Sequence, residues 1–285
     1  MYFLLIIQQL IASGTHIFAK TVTEQVPPPV VLFFRTLIVS TLYLAYLYIR
    51  RKSHIKFEKK DIWIFLFLGF LNIPINQFLF LTSLKYTSAP NVALAYALTP
   101  AFVLIMANIF LKESMTFIKT LGVAIAVFGQ VLIIAQDGFE LGSDTLKGNL
   151  LALTASFSWG LYTLIGRNLA RKYGGIYSNG LAMIIGTVMF LPIFSFLPVT
   201  IELEQISTNN WLQILYIAVI TSGVGYALWY VALQKIEASR VAVFNNIQPV
   251  FTTILAVIFM DEIITNVFLL GGVLIILGVF LTQRK

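Results

Sequence analysis

The 285-residue chain contains no cysteine and only two histidines, His16 and His54, and just 11% of its residues are charged. Without cysteine there can be no disulfide and no thiolate metal site, although the compartment stays open. Two histidines, expected on opposite sides of a membrane, make no metal-ligand cluster. There is also no His-Glu-x-x-His stretch and no convincing nucleophile triad. An enzyme is therefore not expected, nor a metal or a cofactor. The shortage of charge is equally informative. A soluble domain carries about a quarter charged residues, whereas here 59% are hydrophobic and the mean hydropathy is +0.89. Every Asp and Glu falls in a loop or at the end of an apolar run, which leaves no buried acid for a proton relay across a bilayer.

What the chain has in abundance is apolar length. A bilayer requires about 20 apolar residues per helical span. Ten runs meet that length, at about 2–20, 29–49, 62–84, 88–111, 115–136, 147–168, 175–197, 209–234, 238–260 and 263–282. The first begins at Met1 without a basic stretch or a small-residue cleavage site, and reads as a retained helix. With the N-terminus inside, the cytoplasmic loops and tail receive 15 of the 19 Lys and Arg residues. The other side receives Lys20, Lys85 and Lys147, and Arg35 lies within the second run. Positive loops stay inside, so both termini are expected in the cytoplasm, with the protein in the cell membrane. The net charge of +7 is then a topology signal, and no nucleic-acid partner is expected.

The chain also repeats itself. Tyr96-Ala97-Leu98-Thr99-Pro100, Leu111-Lys112-Glu113, Gly122 and Gly129 are answered, 149 residues later, by Asn245-Asn246-Ile247-Gln248-Pro249, Met260-Asp261-Glu262, Gly271 and Gly278. Each half holds five spans, an odd number, so the second copy must enter the membrane from the other side. The expected fold is an all-α polytopic membrane protein, ten transmembrane helices in two inverted-topology five-helix repeats at 1–140 and 141–285. The short polar turn Asp137–Asp144 is the seam, and the halves pack as one body. Such duplication marks transporters built from internal repeats.

This pattern resembles the drug/metabolite transporter superfamily, in its EamA-type branch of ten helices. The resemblance covers nearly the whole chain. It rests on Leu84-Lys85-Tyr86-Thr87-Ser88-Ala89 through Pro100 to Glu113, and on the echo Ala232-Leu233-Gln234-Lys235-Ile236-Glu237-Ala238 through Pro249 to Glu262. Arg35 between Phe34 and Thr36, and Trp159-Gly160, fit the same pattern, while Ser13-Gly14 stands where Trp-Gly is common. The resemblance implies export or exchange of small metabolites, often amino acids, through a central cavity.

The residues themselves point to the middle of the bilayer. A proline within a helix frees the carbonyl four residues back, so Pro100 frees Tyr96 and Pro249 frees Asn245. An unpaired carbonyl cannot face lipid, so both must face protein or a watery cavity. Spans 3 and 8 are interrupted at matching depth by Asn72-Ile73-Pro74-Ile75-Asn76-Gln77 and Thr221-Ser222-Gly223-Val224-Gly225-Tyr226. Paired interruptions point to a transporter's binding site. Asn72 and Asn76 share a helix face, and either lines the cavity or bonds across helices. The pairs Tyr96/Thr99 and Asn245/Gln248 are the strongest cavity candidates. Trp159 and Tyr226 are candidate walls, and Pro100, Pro249, Gly223 and Gly225 are candidate flexing points. Arg35 either snorkels, meets a helix end or attracts an anionic group. His16 is the one mid-pH titrator within a span, as a structural group or a proton carrier. The function read from these residues is a transporter of a small polar solute by alternating access. The alternative is a channel-like or non-transporting scaffold, and the oligomeric state is open.

Overall fold

The computed structural model describes residues 1–49, 57–111, 116–135, 143–200 and 203–282. Among these residues the chain is all-helical. Its long helices are α1 (Tyr2–Gln25), α2 (Pro28–Ile49), α3 (Lys59–Tyr86), α4 (Ala89–Phe110), α5 (Phe117–Ala135), α6 (Asp144–Tyr173), α7 (Gly175–Phe196), α8 (Thr208–Lys235), α9 (Ala238–Met260) and α10 (Asn266–Thr282). Eight of them are long and apolar enough to cross a membrane; α10 is apolar but only 17 residues long, and α6 extends over 30. Glu113, His54 and most of the Asp137–Asp144 seam lie outside the described residues.

Local chemistry explains where the helices differ from the apolar runs. α1 continues past Lys20 to Gln25 because its polar residues find partners. Thr23 donates back to the carbonyl of Ala19 at 2.7 Å, and Lys20 donates to the carbonyl of Leu84 at 2.8 Å. α6 starts at Asp144, where the Ser143 hydroxyl accepts from the Leu146 amide at 3.3 Å as an N-cap.

The bundle has a crowded interior and an apolar exterior. α4 is enclosed, with 78% of its apolar window buried, whereas α5 is peripheral at 33%. Phe110, Phe128, Leu150, Phe196, Phe259 and Val273 all stand exposed. In water such a girdle would be an aggregation surface; in a bilayer it is the surface lipid solvates.

Two glycine-to-glycine crossings bring backbones together. On α5 and α10, a Cβ placed on Gly122 would lie 2.5 Å from the Gly278 oxygen, and one on Gly129 would lie 2.6 Å from the Gly271 oxygen. On α3 and α7, Gly69 and Gly186 meet in the same way, at 2.8 Å and 2.5 Å from each other's backbone. Small residues let membrane helices approach this closely, and dispersion then holds them.

Four of the helices are irregular at depth. α3 is π-helical over Leu71–Gln77 and α8 over Tyr216–Gly225. α4 breaks at Leu98 just before Pro100, and α9 passes through a 3-10 turn at Val243–Asn246 ahead of Pro249. Neighbouring side chains donate to carbonyls within the π-helical segments. Ser158 donates to Leu71 at 2.8 Å, and Tyr43 donates to Gly223 at 2.7 Å. Irregular backbone at membrane depth is tolerated only with partners of this kind.

Candidate functional site

The helix irregularities surround a cavity at the centre of the bundle. Its wall is formed by Gln8, Ala12, Thr15 and His16 of α1, Arg35 of α2, Phe80 of α3 and Tyr96 of α4, closed by Trp159 of α6, Thr221 and Tyr226 of α8 and Gln248 of α9. The cavity volume is about 40 Å³, which is room for a few waters and far below the several hundred Å³ of an ordinary small-molecule pocket.

One side of the wall is aromatic. Trp159 lies 4.8 Å from Tyr226 and 5.6 Å from Tyr162, ring centre to ring centre. Phe80 and Tyr96 meet edge to face at 5.8 Å, and His16 sits edge-on to both, at 5.2 and 5.9 Å. Asn76 holds the Tyr96 hydroxyl from behind, donating to it at 2.7 Å and to the Ala155 carbonyl at 2.8 Å. The Tyr96 oxygen therefore accepts, and its own proton is left to donate.

The other side is polar. The Gln248 amide donates to Gln9 at 2.7 Å and to Asn245 at 3.2 Å, and Gln9 donates to Gln8 at 2.6 Å. Thr15 and Thr221 hydroxyls meet at 2.7 Å. His16 Nδ1 lies 2.8 Å from the Ala12 carbonyl. A carbonyl can only accept, so Nδ1 carries the proton and Nε2 of the neutral ring is a bare acceptor. Arg35 is 1% exposed, so it does not snorkel. Its Nε donates to Ser222 at 2.8 Å, and its guanidinium carbon lies 6.0 Å from the Tyr226 ring centre.

Of the residues singled out in the sequence, His16, Arg35, Tyr96, Trp159, Tyr226 and Gln248 line this cavity. Asn76 and Asn245 stand one layer behind it, holding Tyr96 and Gln248. Asn72 and Thr99 sit elsewhere. Asn72 pairs with Gln77 at 3.0 Å and with the Met183 sulfur at 3.3 Å, and Thr99 pairs with Ser156 at 3.0 Å. Gly223 and Gly225 belong to the π-helical part of α8, Pro100 and Pro249 follow directly on the breaks in α4 and α9, and none of the four lines the wall. Sequence reasoning missed Gln8, Ala12, Thr15, Phe80 and Thr221 as wall residues. For α1 the signal was there: positions 8, 12 and 15 fall on one helical face, and two are polar within an apolar run.

Away from the cavity, one end of the bundle carries a charged cluster between the start of α3 and the end of α6. Lys172 bridges Glu58 at 2.6 Å and Asp61 at 2.7 Å, and the Tyr173 hydroxyl donates to Asp61 at 2.6 Å. Lys172 and Lys60, both hydrogen-bonded to it, hold the Glu58 carboxyl below the usual glutamate range. The ion cluster therefore contributes fully above the usual glutamate range and is lost as the pH falls below that range, through the lowered value. Between α8 and α1, at the opposite end, the described residues include a neutral bond, Asn210 to Gln25 at 2.9 Å. Among the described residues no group of three or more His, Asp or Glu could hold a metal ion.

The sequence profile of the EamA-like transporter family matches residues 1–135 and 146–284. YyaM, an uncharacterized transporter of Bacillus subtilis, is 33% identical over 225 residues, 78% of this chain and 73% of that protein. An uncharacterized transporter of Archaeoglobus fulgidus is 29% identical over 294 residues, covering 100% of this chain and 97% of the other. A crystal structure aligns with a TM-score of 0.71 at 17% identity, over 98% of this chain and 95% of its own, and shows the same fold. Matched along nearly its whole length by a membrane body of this kind, the protein belongs to the EamA-like transporter family, whose members are transporters and not enzymes.

Proposed function

We propose that the protein exports or exchanges a small polar metabolite, an amino acid or a related solute, by alternating access through the central cavity. The cavity would lie between two inverted five-helix repeats, residues 1–140 and 141–285, in the cell membrane with both termini cytoplasmic. The observation that carries this reading is a small cavity walled by buried polar and aromatic side chains from both halves of the chain, α1 to α4 of the first and α6, α8 and α9 of the second. Its small volume supports alternating access over an open pore, since a solute must force the halves apart to enter. The glycine contacts support the repeat. Gly122 faces Gly278 and Gly129 faces Gly271, so each glycine meets the repeat counterpart of the other, as a two-fold axis between α5 and α10 requires.

Uptake into proteoliposomes of a panel of amino acids, nucleosides and small amines, with and without a pH gradient, tests the reading. Saturable, competable uptake is expected, and flux that grows linearly with concentration would instead mean a channel. Uptake that collapses without the gradient would make His16 the proton-linked residue. Tyr96→Phe and Asn245→Ala should each lower uptake about tenfold, the effect of losing one buried hydrogen bond. If both variants keep wild-type uptake and affinity, the solute binds elsewhere.

Topology has a direct test, because the chain has no cysteine of its own. Lys60 and Asn209 are exposed positions 149 residues apart. Single cysteines there should react with a membrane-impermeant maleimide from opposite faces of sealed vesicles. Reaction from the same face would rule out inverted repeats.

A further inference from the structure

We infer that Arg35 is the anchor for a carboxylate of the solute, and that the cavity selects monocarboxylates carrying a nearby N–H or O–H donor. The inference rests on the transporter reading for its setting but not for its chemistry.

Arg35 is an unbalanced charge at membrane depth. Its guanidinium always carries its proton, and among the described residues no Asp or Glu forms an ion pair with it. Nε is used on Ser222 and the guanidinium also bonds the Tyr226 hydroxyl, yet Nη1 is buried without a partner. A cation in this position is costly, and charged residues at such depth mark solute or ion pathways. The side chain is also held in place: Ser222 passes the contact on to the carbonyl of Ile217 at 3.1 Å, within the π-helical part of α8. A fixed guanidinium with an open N–H, on the wall of a cavity, is built to receive a planar oxyanion.

The other unpaired atoms of the wall have the opposite demand. His16 Nε2 and Gln248 Oε1 are both buried without partners, and both accept. The cavity therefore needs one anionic acceptor at Arg35 and donors facing His16 and Gln248. A carboxylic acid with an amino or hydroxyl group answers both demands. A simple amine leaves Arg35 unpaired, and a dicarboxylate brings a second charge with no cation to meet it. Each mismatch leaves a buried charged group uncompensated, which is why such sites discriminate strongly.

Ligand-induced thermal stabilisation of the purified protein in chloride-free detergent buffer separates this inference from transport itself. The probes are L-amino acids, each with its C-terminal amide and its decarboxylated amine. Wild-type protein is expected to be stabilised by at least one acid, with at least tenfold weaker response to the matching amide and amine. Arg35→Met should abolish the response while the unliganded protein melts no lower than wild type, because an unpaired buried charge has been removed. Arg35→Lys, which keeps the charge but not the fork, should retain a weakened response and guards against a misfolded Met variant.

Acid binding lost in Arg35→Met, with no uptake of any probe into proteoliposomes, would uphold the anchor and remove the transporter reading. Uptake that is equal for acids, amides and amines and indifferent to Arg35→Met would overturn the anchor while transport stands. Stabilisation reproduced in full by chloride alone would overturn the carboxylate assignment in favour of a halide site.

Discussion

Valine in place of Gly278 should leave almost no folded protein in the membrane, whereas alanine in place of Gly272, six residues earlier on the same helix, should be tolerated. A Cβ at position 278 would sit 2.5 Å from the oxygen of Gly122 and 2.5 Å from the amide nitrogen of Ala126. Both are backbone atoms, so no side-chain rotation relieves the clash. The α5–α10 pair would have to separate along its whole contact, losing the dispersion that holds membrane helices together without a hydrophobic drive. Overpacking a tolerant core costs about 1–3 kcal/mol, and a backbone-to-backbone contact stands at or beyond the upper end. At Gly272 a Cβ would meet only the end of the Leu94 side chain, at 3.5 Å, an ordinary contact. The yield of monodisperse protein in detergent, with its thermal midpoint, checks the pair. Equal behaviour of the two variants would mean that the α5–α10 contact does not hold the bundle.

That contrast shows what kind of information the sequence carries. The positions of the helices were legible because apolar length and helix-breaking residues act locally: Pro74, Pro100, Pro249 and Gly223 each mark a segment that is irregular in the structure. The four spaced glycines were legible as landmarks, but which glycine faces which is a matter of helix pairing. The site was legible in part for the same reason. Tyr96, Gln248, Tyr226, Trp159, His16 and Arg35 reach the cavity. Asn72 has the same chemistry as Asn76 and a similar depth, yet it pairs with Gln77 and Met183. An amide one helical step away either supports a wall residue, as Asn76 supports Tyr96, or pairs elsewhere, and the rotation of the helix against its partners decides which. On α1 only His16 was singled out, because the helix has no proline and no break, although Gln8 and Thr15 are polar residues on the face that α1 turns to the cavity.

The charged cluster at the α3–α6 end and its neutral counterpart at the α8–α1 end lead to an expected imbalance in how the two ends open. Asp61 and Asn210 are 149 residues apart and occupy equivalent places at the starts of α3 and α8. Asp61 binds Lys172 and Tyr173, whereas the Asn210 side chain donates to the neutral Gln25. The Asp61 carboxylate is nearly buried, but Lys172 keeps about a third of its side chain in water, at 35%, so solvent screening weakens the pair. The difference in closing strength is then modest, roughly a fivefold difference in population.

Asp61→Asn removes one of the two carboxylates that hold Lys172, leaving Glu58, and should raise the opening of the α3–α6 end by up to about that factor. A single cysteine at Ala12, on the cavity wall, reports it. Its reaction with an impermeant maleimide from the α3–α6 side should quicken about fivefold in the Asp61→Asn background, with no change from the other side. The reverse construction tests the same physics. Gln25→Lys with Asn210→Asp places a charged pair at the α8–α1 end and should slow labelling from that side. If neither rate moves, the cluster only tethers α3 to α6, and the ends of the bundle open independently of it. If both move as expected, the asymmetry between two otherwise equivalent helix ends sets which side of the membrane the resting protein faces.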